Sequence, residues 1–180
     1  MSSAGLPESE KTLFANRVNE AVRRALSDRY LTGGNRSTAE GLAAVIIEKF
    51  TDCLVTVEKL MELTGNHSNG IYNRFKCRFG MTPGLFLEEA RFLSAFFLLR
   101  LGLSVHETDE KSGFLLERKL HRVMHRALNH GGREIRPNYE ISSFQIDERH
   151  GKKSEAAPHI KGMIDEIERT LELDPKVTRF

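Results

Sequence analysis

Residues 56–99 read TVEKLMELTGNHSNGIYNRFKCRFGMTPGLFLEEARFLSAFFLL and predict two short helices at a turn, followed by a long helix. The first helix begins after Thr56, whose hydroxyl can cap free backbone N–H groups, and it ends before Gly65. The second helix covers about residues 68–79. Apolar residues at helical spacing form facing stripes on the two short helices: Leu60, Leu63, Ile71 and Phe75. This pattern is typical of a helix-turn-helix.

The outward side of the second helix is polar, and residues 66–80 contain no acidic side chain. Asn side chains can bond an adenine edge in the major groove, whereas Ser, Tyr, Lys and Arg suit phosphate or guanine. A solvated helix face is the alternative interpretation, but such a face usually mixes both signs of charge. The DNA contacts predicted on this helix are Ser68, Asn69, Tyr72, Asn73, Lys76 and Arg78.

This segment resembles the first DNA-binding half of the AraC/XylS family of bacterial transcription regulators. The matching residues share one register over about forty positions: Leu60, Ile71, Phe75, Lys76, Gly80-Met81-Thr82-Pro83, Phe86-Leu87, Arg91-Phe92, Ala95 and Leu98-Leu99. Gly80 can end the second helix, and Pro83 can start the next one. The resemblance implies an all-α, two-lobed AraC-like domain over residues 38–139, whose first helix-turn-helix (residues 56–80) leads into a linker helix at residues 83–101. Met61 stands where the family usually has a small Ala.

Two further helices are predicted ahead of this segment. Within residues 8–30, an apolar stripe recurs at helical spacing: Phe14, Val18, Ala21, Val22, Ala25 and Leu26. A second helix at about residues 38–50 begins at Ser37 or Thr38, with Glu40 available for a capping box. Residues 1–37 are therefore expected to form an N-terminal extension, which is too short for the ligand-binding β-barrel usual in the family. Control by a small molecule is not expected.

Residues 104–128 keep the register of the family's second helix-turn-helix, but this copy is divergent. Thr108 and Asp109 occupy positions where the family has an apolar residue and a small Ala that face the core. Burying an unpaired Asp is costly, so this helix is rotated, or Asp109 finds a partner, or the half-domain is remodelled. The helix that follows is strongly basic and suits phosphate. Its predicted DNA contacts are Arg118, His121, Arg122 and Arg126.

The same basic helix has a competing interpretation as a metal site. Glu117, His121 and His125 follow each other at intervals of four residues, and two His at this spacing can chelate zinc. No Cys or second acidic residue completes the set, and the neighbouring Arg side chains repel a cation, so no metal or other cofactor is expected. The sequence contains no nucleophile elbow, P-loop or Gly-rich dinucleotide motif, and an enzyme is not expected either.

The C-terminal part predicts a polar linker at residues 140–157 and an amphipathic helix at residues 158–174. The helix carries a narrow apolar stripe: Ile160, Met163, Ile164, Ile167 and Leu171. Together with the N-terminal helix, it is surplus to an AraC-like domain. These two helices either pack back onto the domain as extra core or form a homodimer or a contact with a partner helix.

Charge and composition agree with a regulator that binds double-stranded DNA. The net charge is only +2, but residues 53–136 carry thirteen basic and nine acidic residues. Two cysteines without metal-binding spacing favour a reduced compartment. No signal peptide or membrane-spanning run is visible, so the expected location is the cytoplasm, at the nucleoid, without a membrane.

The resemblance implies a sequence-specific transcriptional regulator, in this family often an activator that contacts RNA polymerase. The alternative is a protein-interaction module, in which a degenerate AraC-like domain binds a partner protein and the terminal helices assemble the complex. Retention on heparin or on nonspecific duplex, with a steep salt dependence, would distinguish the two.

Overall fold

Eight helices make up the parts of the chain that the computed structural model describes, residues 7–32, 37–65, 69–114, 117–128 and 156–171. In chain order they are α1 (Glu8–Tyr30), α2 (Thr38–Lys49), α3 (Val57–Leu63), α4 (Asn69–Phe79), α5 (Pro83–Arg100), α6 (Val105–Ser112), α7 (Glu117–Leu128) and α8 (Ala156–Leu171). No strand occurs in these ranges, and the predicted all-α class is confirmed.

Local capping explains why the helices begin where the sequence predicts. Ser37 and Glu40 form a capping box, in which the Ser37 hydroxyl accepts the Glu40 N–H at 3.3 Å and the Glu40 carboxylate accepts the Ser37 N–H at 3.0 Å. The Thr56 hydroxyl likewise accepts a backbone N–H and starts α3. The final helix starts at Ala156, two residues earlier than predicted, and the predicted linker up to residue 155 lies outside the described residues.

The centre of the core is α5. Every residue from 91 to 100 is buried, and α1, α2, α3, α4, α6 and α7 all pack against this helix. A helix that is apolar on all sides is stable only when neighbours cover all of its sides. The predicted linker helix is therefore the helix around which the described elements assemble.

The terminal helices pack back onto this core. On α1 the residues of the stripe from Val18 to Leu26 are buried, and on α8 Met163, Ile164 and Ile167 are buried. The two helices contact each other, and α1 also packs against α2 and α5. Arg100, at the end of α5, pairs with Glu168 of α8. The chain therefore covers most of both stripes by itself, and Phe14, Ile160 and Leu171 are partly buried.

The inner face of α6 is polar. Thr108, Asp109 and Ser112 are all buried, which excludes the rotated arrangement. The Ser112 hydroxyl donates to the Thr108 carbonyl oxygen at 2.6 Å. At Gly113 the backbone has a φ of 82°, and a Cβ there would lie 2.3 Å from the Phe50 carbonyl oxygen, so only glycine fits.

Polar contacts with α1 hold α6 in place. Lys11 pairs with Glu107 at 2.5 Å, and the Asn19 side-chain amide donates to the Lys111 carbonyl oxygen at 3.1 Å. The side-chain oxygen of Asn19, Oδ1, in turn accepts a hydrogen bond from the Ser94 hydroxyl of α5 at 2.5 Å. These contacts tie the N-terminal helix α1 to both α5 and α6.

The loop between α2 and α3, residues 50–55, is held by one buried side chain. Arg91 of α5 is 4% exposed, and its Nε donates to the Phe50 carbonyl oxygen at 2.8 Å. Its Nη2 donates to the carbonyl oxygens of Asp52 and Val55 at 2.8 and 3.1 Å. Because α3 starts directly after this loop, Arg91 fixes the position at which α3 begins.

We expect Arg91→Lys to destabilise the protein by roughly 2 to 4 kcal/mol in urea unfolding, because the single nitrogen of a lysine side chain cannot occupy the positions of both Nε and Nη2 and therefore leaves buried acceptors unsatisfied. Arg74→Lys, at an exposed position of α4, is the control and should change stability by no more than about 0.5 kcal/mol. Equal stability of the two variants would show that the loop does not depend on the guanidinium.

Acid should weaken the contact between α1 and α6. The hydrogen bond from Lys11, aided by Ser104, lowers the pKa of Glu107 from its ordinary value of 4.5 to about 2. A carboxylate with a lowered pKa stabilises the fold fully above about pH 4.5, and this stabilisation is lost as the pH falls towards 2. Glu107→Gln should therefore lower the free energy of unfolding by roughly 1 to 2 kcal/mol at neutral pH. The difference from wild type should become progressively smaller below about pH 4.

The matched control for this pH series is Glu110→Gln, at an exposed position of the same helix. Urea unfolding of both variants between pH 7 and pH 3 is the measurement. A difference between wild type and Glu107→Gln that stays constant over this range would contradict the assigned ion pair.

Candidate nucleic-acid interface

One side of α4 is fixed in an aromatic cluster. Ile71 and Phe75 are buried, and the Phe75 ring lies 4.5 Å from the ring of Phe79 and 5.5 Å from the ring of Phe86 on α5, centroid to centroid. Tyr30, at the end of α1, packs edge-on against Phe86 at 4.9 Å. Burial raises the pKa of Tyr30. The apolar side of α4 is therefore anchored on α5 and α1, and its opposite side faces outward.

The partner helix α3 contributes less to this packing than predicted. Leu60 is buried, as its position on the apolar stripe indicates. The prediction for Leu63 is wrong, because this side chain is 68% exposed. Leu63 is the last residue of α3 and lies at the exposed end of the helix, whereas Leu60 lies one turn earlier in the core. Residues 66–68, which include the predicted contact Ser68, lie outside the described residues.

The outward side of α4 presents predicted contacts to solvent. Asn73 and Lys76 are exposed, and neither makes a side-chain hydrogen bond or ion pair with another described residue. Tyr72 is partly buried against the core, with part of its surface accessible. Asn69 begins the helix, but its side chain lies outside the described part. Arg74 adds an exposed cation, so this face combines an amide with two positive charges and no carboxylate.

Arg78 differs from the other predicted contacts of α4. Its Nε and Nη2 both donate to Oε1 of Glu40 on α2, at 3.0 and 2.8 Å. Its guanidinium also lies 5.5 Å from the centre of the Phe79 ring. The hydrogen bond from the Ser37 backbone and the contact with Arg78 hold the pKa of Glu40 below its ordinary value. The pair joins the last turn of α4 to the first turn of α2, a contact that the sequence analysis missed.

The helix α7 has the same two-sided construction. Leu120, Val123 and Met124 are buried, and α7 packs on α5 and α6. The opposite face exposes a run of residues that carry or can carry positive charge: Arg118, His121, Arg122, His125 and Arg126. The rings of His121 and His125 lie 4.4 Å apart, centroid to centroid. All four predicted contacts on α7 are thus brought to one accessible face.

One of these side chains is already paired. Arg126, in the last turn of α7, forms an ion pair with Glu88 of α5. Arg122 makes only a long hydrogen bond of 3.4 Å to the Arg118 carbonyl oxygen on its own helix. On both α4 and α7, therefore, an arginine in the last turn bonds a carboxylate of another helix, and other cations of the same helix are accessible. Sequence reading cannot find these partners, since each lies 38 positions away.

Two other kinds of site have less support in the described residues. No group of three or more His, Cys, Asp or Glu side chains there is placed to hold a metal ion. A cleft of about 640 Å³ opens between α1, α6 and Thr51. Two of its cations are already bonded, since Arg23 donates to Thr51 and Lys111 pairs with Glu8. The third, Arg17, is exposed, but the cleft also contains Glu20 and Glu110, whereas the described side chains of α4 and α7 include no exposed carboxylate.

Among the described helices, none is long and apolar enough to cross a membrane. Comparison with models of protein families, with curated proteins and with solved structures finds no match to this chain. The resemblance of residues 56–99 to the AraC/XylS family therefore rests on the matching residues themselves, and any functional assignment rests on the geometry of α4 and α7.

Proposed function

We propose that this protein is a sequence-specific, DNA-binding transcriptional regulator that uses α4 and α7 to contact double-stranded DNA. The observation that carries the proposal is the construction of the two helices. Each buries one side against α5 and turns outward a face that bears several cations and no exposed carboxylate among the described side chains. Such faces attract the phosphate backbone and release its condensed counterions on binding.

The two helices suit different tasks. The exposed face of α4 combines Asn73 and the accessible part of Tyr72 with Lys76. An Asn side chain can read an adenine edge through two hydrogen bonds, and Lys supplies a phosphate contact. The exposed face of α7 consists of Arg and His side chains, which suit phosphate. We infer that α4 determines sequence preference and that α7 mainly adds affinity.

Further parts of the proposal rest on the family resemblance of residues 56–99. They are that the regulator belongs with the AraC/XylS proteins, that it activates transcription through contact with RNA polymerase, and that it acts at the nucleoid. The proposal assigns no catalytic activity and no cofactor to this chain.

A second candidate function has one observation in its favour. Four large apolar side chains remain exposed among the described residues: Leu13 on α1, Leu54 before α3, Leu63 at the end of α3 and Leu85 on α5. Exposed apolar side chains mark protein contacts when they form a contiguous patch. In this alternative the chain is a protein-interaction module, and the basic helices serve only solubility. Such a module would bind duplex DNA with no sequence preference, or not at all.

The base-reading role of α4 predicts different effects for two neighbouring residues. After selection of a preferred duplex from a random library, Asn73→Ala should reduce the preference over a scrambled duplex by roughly 1 to 3 kcal/mol. Lys76→Ala should weaken binding to both duplexes equally and reduce the slope of log K against log salt by about one. Fluorescence anisotropy over a salt series measures both quantities.

The control for this pair is Lys161→Ala, at an exposed position of α8, which should bind both duplexes like wild type. If Asn73→Ala retained both affinity and preference, α4 would not be the helix that reads bases. If the wild-type chain bound no duplex at low salt, the proposed function itself would be wrong.

The phosphate-binding role of α7 predicts a loss of affinity without a loss of preference. Replacing Arg118 and Arg122 together by Ala should lower the salt slope by about two and weaken binding to every duplex alike. The matched control is the pair Arg24→Ala and Arg169→Ala, which removes two exposed arginines from α1 and α8. A footprint with two specific half-sites about one helical turn apart on a single protomer would contradict this division of roles.

A further inference from the structure

We propose that Arg78 positions α4 for DNA recognition through its bonds to Glu40 and does not act as a phosphate ligand. This inference rests on the proposed function and reassigns a residue that the sequence analysis placed among the phosphate contacts. The starting observation is the contrast in environment: the side chain of Glu40 is 7% exposed, whereas that of Arg78 is 48% exposed.

Glu40 is a fixed point of the scaffold. Its Oε2 accepts the Ser37 N–H at 3.0 Å within the capping box of α2, and its Oε1 accepts both hydrogen bonds from Arg78. Hydrogen bonds from a guanidinium to a carboxylate are strong and directional. Arg78 is therefore bonded to a carboxylate whose own position is set by the start of another helix.

The rest of the anchoring of α4 comes from apolar contacts. Ile71, Phe75 and Phe79 hold the helix on the core through burial and ring packing. Hydrophobic burial is non-directional, so it holds a helix against its neighbours more firmly than it fixes rotation about the helix axis. The directional hydrogen bonds between Arg78 and Glu40 fix the rotation of α4 about its axis.

Rotation of α4 has a large effect at the DNA-facing side chains. Side-chain tips lie about 5 to 6 Å from a helix axis, so a rotation of about 20° moves them by about 2 Å. Hydrogen bonds to base edges tolerate much smaller displacements. Asn73 and Lys76 lie on the same helix within two turns of Arg78, so the pair with Glu40 sets where both side chains meet the groove.

The positive charge of Arg78 is already paired with the Glu40 carboxylate. Moving its guanidinium to a phosphate would leave the buried Glu40 carboxylate without its cation and close to a further negative charge. Release of counterions from DNA requires a cation that is not already neutralised by the protein. Lys76 meets this condition among the described residues, and Arg78 does not.

The test uses the full chain with Glu40→Gln, Arg78→Gln and the double variant. Glutamine at position 40 keeps the capping box, since Gln serves there as well as Glu. We expect each single variant to reduce the preference for the selected duplex over a scrambled one by about tenfold. The double variant should lose no more sequence preference than either single variant, because both changes break the same contact. The salt slope should stay at the wild-type value in Arg78→Gln and in the double variant, which have no cation at position 78.

Two comparisons separate this outcome from phosphate binding. Lys76→Gln, on the same helix, should lower the salt slope by about one. Arg78→Lys keeps the positive charge but lacks the forked donor geometry, so it should lose sequence preference like Arg78→Gln. Circular dichroism melts show whether each variant is folded. If Glu40→Gln does not fold, Arg78→Lys still tests the inference.

The inference would be overturned if Arg78→Gln lowered the salt slope by about one while Arg78→Lys behaved like wild type. The inference would also be overturned if the losses of sequence preference caused by Glu40→Gln and by Arg78→Gln added up in the double variant. These results differ from a failure of the proposed function, in which the wild-type chain itself shows no binding to duplex DNA or no preference among duplexes.

Discussion

The buried guanidinium of Arg91 is the interaction on which the arrangement of the helices depends. It bonds three backbone carbonyls of the loop at residues 50–55, and burial lowers its pKa below the ordinary value of an arginine. A buried cation without satisfied donors would be costly, whereas the carbonyl dipoles of this loop compensate it. The same loop meets α1, since Arg23 donates to Thr51. It also meets the turn after α6 at Gly113.

This organisation makes α4 and α7 parts of one scaffold. Both helices pack on α5, and α1 ties α6 to α5 through Asn19. A surface that is already in place before binding loses less conformational freedom when DNA is bound, and more of the contact energy appears as affinity. In the proposed function, α1 and α8 therefore act as structural supports for the DNA-contacting helices and do not themselves contact DNA.

The sequence predicted the features that depend on near neighbours. Ser37 and Thr56 start helices through bonds to backbone groups three residues away, and the apolar residues on every side of α5 predict its burial whichever helices cover it. Features that depend on packing were not predictable. Glu40 meets Arg78 and Lys11 meets Glu107 only because distant helices assemble, over separations of 38 and 96 positions. Leu63 has the spacing of a core residue, but the end of α3 leaves it in solvent.

The central claim is that α4 and α7 form one surface for duplex DNA, and NMR titration of the full chain with its selected duplex tests it most directly. In ¹⁵N-resolved spectra, we expect shift changes for amides of α4 and α7, including those of Asn73 and Arg122, and no shift changes for amides of α8. Shift changes limited to the exposed leucines around α3, or no changes at all, would contradict it.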